Sequence, residues 1–143
     1  MKSEDIILVL KDTAQSLNYK YSVSENTVDF LDENDEIVTF AYVSELDGVI
    51  VLYDYICQID GVNKKIFNML NSLNMNDELF RFVIQENEDE DGEKYIMLLI
   101  EYQIYPISKS HVSKKIKEEM PKFIERRDFY RQCIKDAMLK FNK

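Results

Sequence analysis

The chain has 143 residues, is 45% hydrophobic and 31% charged, and carries a net charge of -9. At that length a single domain buries roughly 70% of its unfolded surface, so a core forms without disulfide or metal staples. Three Gly and two Pro exclude collagen-like repeats and low complexity, the acidic balance disfavours nucleic acid, and no apolar run approaches the roughly 18 residues of a membrane span.

The opening stretch, MKSEDIILVLKDTAQ, sets acids beside a short apolar run and lacks a signal-peptide cleavage pattern, so a cytoplasmic location is expected. Residues 3–17 predict a first helix, with Ser3 as N-cap and Glu4 and Asp5 at the positive end of the dipole. Ile6, Ile7, Leu10, Ala14 and Leu17 share one face. The period then changes to two: residues 27–31, 36–43 and 49–59 predict strands separated by the turn segments DEND and SELDG. Residues 19–23 also alternate and read as an extension of the first strand. Asp60-Gly61 stops the third strand, and residues 62–74 predict a helix facing inward through Val62, Ile66, Met69 or Leu70, and Leu73. Two further strands, 79–85 and 94–105, flank the loop ENEDEDGE.

Residues 109–141 predict a long helix capped by Ser108 or Ser110. Val112, Ile116, Met120, Phe123, Arg127, Tyr130, Ile134, Met138 and Phe141 form its stripe. Pro121 interrupts that stripe, and a kink or break is expected there. The fold class is therefore α+β: a five-stranded antiparallel sheet in the order α-βββ-α-ββ-α. Residues 1–107 form the core and residues 108–143 a basic helical tail packed on it or extending it, one domain overall.

Two strands are apolar on both faces. In 49–59, Tyr53 and Tyr55 lie opposite Ile50, Leu52 and Ile56; in 94–105, Met97 and Leu99 lie opposite Ile96, Leu98 and Ile100. A sheet with one wet face should alternate cleanly, so the second face needs a cover. The long helix is one candidate; a partner chain is the other, with Tyr53, Tyr55, Met97 and Leu99 as the contact residues.

Charge is split. Residues 1–107 carry 7 basic and 22 acidic side chains, whereas residues 108–143 carry 11 basic and 5 acidic. The tail can simply lie on the acidic body. Alternatively it presents Lys114, Lys115, Lys117, Arg126, Arg127 and Arg131 to an acidic partner, as an adaptor would. Interleaved Glu118, Glu119, Glu125 and Asp128 weaken any phosphate track.

Motifs for chemistry fail on spacing. Asn87, Asp89, Asp91 and Gly92 fit the start of a calcium loop, but its twelfth position is Leu98 and the flanks read as strands. His111 is the only histidine and suits a surface or capping role; with Cys57 and Cys133 it leaves zinc short of ligands. Both cysteines read as small buried hydrophobes. Asp54, between Tyr53 and Tyr55, faces solvent or a basic tail residue. No GxGxxG, P-loop or GxSxG is present. The residues thus predict a protein without catalytic residues, cofactor or metal; a small-molecule or enzymatic pocket between sheet and helices is the alternative.

The order helix, three strands, helix, two strands, helix in a small acidic chain resembles the type III secretion chaperone-like fold, which includes the bacterial YbjN family. The local match is NKKIFNMLNSLNMNDELFRFVIQENEDEDGEKYIMLLIEYQI, residues 63–104. The resemblance implies a non-enzymatic cytosolic protein, commonly a homodimer, that holds a client segment on apolar surface. The long basic tail departs from the compact, wholly acidic chaperone pattern.

Overall fold

The computed structural model describes residues 2–61, 63–77 and 79–141, with side chains to residue 136. In chain order the elements are α1 (Ser3–Ser16), β1 (Lys20–Ser24), β2 (Thr27–Leu31), β3 (Ile37–Val43), β4 (Ile50–Ile59), α2 (Lys64–Asn76), β5 (Arg81–Glu88), β6 (Lys94–Ile104) and α3 (Lys109–Phe141). The sheet has six strands in the order β1-β2-β3-β4-β6-β5. The pairs β1–β2, β2–β3, β3–β4 and β5–β6 are antiparallel. The α+β class is as expected.

The strand count is not. Residues 20–24 form a strand of their own, because the chain reverses at Glu25-Asn26 and Ser24 comes to face Thr27. Glu25 takes the left-handed region, with φ of 51°. Glu there carries no glycine-like turn signal, which explains why the segment read as part of β2.

Two later turns share one design. Asp32 Oδ1 accepts the N–H groups of Asn34 and Glu36 at 2.8 and 3.0 Å, and Asp89 Oδ1 accepts those of Asp91 and Glu93, both at 2.9 Å. In each, the fourth residue has positive φ, Asp35 at 61° and Gly92 at 80°. The acidic β5–β6 loop is thus a self-bonded hairpin tip.

Helix ends depart from expectation at one place and match it at another. Lys2, not Ser3, occupies the N-cap of α1, without a side-chain cap bond. Ser108 Oγ accepts the His111 N–H at 3.2 Å, capping α3, and His111 Nδ1 accepts the Ile107 N–H at 3.4 Å. The expected break at Pro121 is absent: α3 is helical from Lys109 to Phe141 with Pro121 inside it. Proline costs an internal hydrogen bond, about 3 kcal/mol. Val112, Ile116, Met120, Phe123, Arg127, Tyr130 and Ile134 are all buried on either side of it. At roughly 1.5–3 kcal/mol for each fully buried apolar side chain, that stripe outweighs the lost bond. Val62 and the side chains of Met138 and Phe141 lie outside the described positions.

The chain divides into two compact units, residues 1–53 with 103–125, and residues 54–102 with 126–143. In the first, α1 packs on β1, β2 and β3. Cross-strand partners Val28 and Ala41, Phe30 and Thr39, Ala41 and Leu52, and Val43 and Ile50 lie on one face of the sheet and are fully buried. Ile6, Leu10 and Ala14 of α1 and Val112, Ile116, Met120 and Phe123 of α3 complete that core. Thr13 Oγ1 donates to Ser113 Oγ at 3.1 Å, joining the two helices.

In the second unit, α2 packs on β5. Asn63 caps α2 by accepting the Ile66 N–H at 3.0 Å. Ile66, Met69, Leu70 and Leu73 of α2 are half-buried, and no described residue of the helix is fully buried. Asp77 Oδ1 accepts the Leu79 and Phe80 N–H groups, both at 3.2 Å, which delays β5 to Arg81. The Phe82 ring meets the Tyr130 ring edge-on at 4.7 Å.

Candidate functional site

The sheet face opposite the sealed core stays half open in the first unit. Along β3 the small residues Thr39 and Ala41 point into the core, so Phe40 and Tyr42 point the other way. Register places Phe40 beside Tyr53 and Tyr42 beside Val51. The Phe40 and Tyr53 rings stack at 4.9 Å with an interplanar angle of 11°. Phe40, Val51 and Tyr53 are half-buried and Tyr42 is 41% exposed. Asp29, opposite Phe40, is the acid of this patch, and partial burial pushes its carboxyl above the usual range. The patch offers flat aromatic surface bearing phenolic hydroxyls, which suits contact with another apolar surface.

The second unit holds a buried charge cluster. Asp54, 3% exposed, accepts from Arg127 Nη1 at 2.7 Å and lies 3.2 Å from Arg131 Nη2. Its Oδ1 also accepts the Tyr55 N–H at 2.7 Å. Arg131 donates from Nε and Nη2 to the Tyr55 carbonyl at 2.9 and 2.6 Å. Arg127 bonds Asp128 as well, at 3.0 Å. Every buried polar side-chain atom among the described residues has a partner. The cluster is satisfied, and it acts as a fastening between α3 and β4.

The residues singled out from the sequence fall into different environments. Tyr53 lies on the open face; Tyr55, further along β4, and Met97 are half-buried. Leu99 is only 4% exposed, so it belongs to the core and not to a contact surface. Lys114, Lys117 and Arg126 are exposed and Lys115 is half-buried. Lys114 pairs with Glu118 at 3.9 Å and Arg126 with Asp77 at 4.0 Å. Arg127 is 8% exposed and turned onto Asp54, which corrects its placement on the tail surface; Arg131 bonds the same cluster. Of the cysteines, Cys57 is half-buried, and burial pushes its thiol up, away from the reactive thiolate. Cys133 is exposed, contrary to its expected burial.

Phe40 and Tyr42 escaped sequence reasoning. The signal was present: β3 carries large apolar residues on both parities, as β4 does, with its smallest residues on the core side. Among the described residues no cluster of three His, Cys, Asp or Glu side chains could hold a metal, and no helix is long and apolar enough to cross a membrane.

No family model, curated protein or solved structure matches the chain.

Proposed function

We propose that this chain is a non-enzymatic interaction protein that buries the open sheet face around Phe40, Tyr42, Val51 and Tyr53 against another protein chain. The helix and strand pair of residues 63–104 resemble the secretion chaperone-like and YbjN proteins, although four strands rather than three precede that helix, and the same mode of action is inferred here by analogy. The observation that carries the reading is the contrast between the two faces of β3 and β4. One is fully buried at Thr39, Ala41, Ile50 and Leu52; the other leaves a stacked aromatic pair half open, with Tyr42 41% exposed beside it. Aromatic surface of this kind is over-represented where proteins meet.

The test compares immobilised wild-type chain with Tyr42→Glu in native lysate. The reading predicts that wild type retains a chain which the variant does not, at unchanged melting temperature. Equal retention by both would contradict it. The acidic-partner adaptor reading is less well supported, because Arg127 and Arg131 are engaged with Asp54 and the Tyr55 carbonyl.

A further inference from the structure

We infer that β1 is a self-association edge: a second copy of this chain pairs antiparallel with β1 about a two-fold axis midway between the two copies of Ser22. This surface is separate from the open face and goes beyond the reading above.

The sheet ends in two edge strands that are treated differently. At β5 the Asn74 side chain fills the place of a neighbouring strand: its Oδ1 accepts the Phe82 N–H at 2.7 Å and its Nδ2 donates to the Phe82 carbonyl at 3.1 Å. That edge is blunted, as exposed edges usually are. At β1 nothing equivalent is found among the described residues. Its sequence, KYSVS, holds no Pro or Gly, and every residue but the half-buried Tyr21 is exposed, Val23 at 42%. Its one charge, Lys20, stands at the start of the strand, its ammonium 3.1 Å from Asp35 Oδ1 and 3.3 Å from the Glu33 carbonyl, so the stretch from Tyr21 to Ser24 carries no charge.

The hairpin fixes which backbone groups face outward. With a two-residue turn, the flanking pair Ser24 and Thr27 exchange hydrogen bonds, as do Ser22 with Asp29 and Lys20 with Leu31. Tyr21 and Val23 therefore aim their N–H and C=O groups away from the sheet. An antiparallel copy centred on Ser22 sets Tyr21 against the second copy's Val23 and the reverse, so every outward donor and acceptor of the strand finds a partner. Ser22 meets its own symmetry mate, and no like charges oppose. Lys20 of one copy falls beside the turn that carries Glu25 of the other, giving opposite charges at both ends of the seam.

On the α1 side of the same seam, Lys11 stands over the Tyr21 ring at 5.5 Å. A two-fold axis perpendicular to the sheet puts both α1 helices on one side of the joined sheet. An isologous contact of this form closes at two chains.

Light scattering on the full chain through the micromolar range tests the inference. Wild type is expected to reach the dimer mass. Ser22→Lys and Ser22→Glu each set like charges face to face at the axis, and each should weaken the dimer about tenfold or more. An equal mixture of the two variants should restore it, which a merely structural effect would not do. Val23→Pro removes an outward N–H while leaving the β1–β2 bonds intact, and should be a folded monomer. A wild-type chain that stays monomeric overturns the inference. So does a dimer that survives both Ser22 variants; if that dimer is lost in Tyr42→Glu instead, it belongs to the open face and the first proposal stands without the second.

Discussion

Arg127 Nη1 donates to Asp54 Oδ2 at 2.7 Å, with both side chains less than a tenth exposed. A charge pair removed from water is held in place by the cost of breaking it. Loss of one partner leaves the other buried and uncompensated, at about 3–5 kcal/mol. Asp54→Ala should lose that much in urea unfolding. Replacing both, as Asp54→Leu with Arg127→Met, should recover much of it. A single variant within about 1 kcal/mol of wild type would show that the pair is not what fastens α3 to β4.

Asn74→Ala removes both hydrogen bonds to the Phe82 backbone. Each is worth about 0.5–1.5 kcal/mol net, so a loss of about 1–3 kcal/mol is expected in chemical denaturation. The variant also bares the β5 edge, so its solutions should aggregate sooner on storage. Unchanged stability and solubility would argue against Asn74 as the edge guard.

Pro121 sits exposed inside a continuous α3, where it cannot donate to the preceding turn. Pro121→Ala should stabilise the chain, by up to about 3 kcal/mol, read as a higher melting temperature. A destabilised variant would mean that proline serves the helix in a way its backbone geometry does not reveal.

Burial raises the Asp29 carboxyl above its ordinary 3.8. The folded chain therefore holds this proton more tightly than the unfolded one. Stability from this group is greatest below 3.8, falls as pH rises through 3.8 toward the folded value, and stays lower at neutral pH. Asp29→Asn should flatten that part of the pH profile and raise neutral-pH stability, measured by urea titrations across the acid range. An unchanged profile would remove Asp29 from the account.

Much of the fold was readable because burial follows period. The α3 stripe from Val112 to Ile134 is buried at every position the 3.6-residue spacing selected, and β2 spans the residues its alternation indicated. Three features were not readable. The β1 turn uses Glu25 at positive φ, where sequence logic looks for Gly or Asn. Pro121 obeys a packing energy summed over a long helix, which local propensity does not count. Leu99 and Tyr53 looked alike, as large residues on the second parity of a strand. Only tertiary packing separates the buried Leu99 from the half-open Tyr53. Leu99→Ala should accordingly cost about 2–5 kcal/mol in stability, measured by denaturation, whereas Tyr42→Glu should leave the melting temperature near wild type.

Hydroxyl-radical footprinting of Tyr42, read by mass spectrometry on dilute purified chain and on the same chain in native lysate, addresses the open face most directly. The account predicts that oxidation of Tyr42 falls several-fold in lysate, while exposed Tyr105, off the sheet, keeps its rate. Equal oxidation of Tyr42 in both conditions would contradict the claim that another chain covers this face.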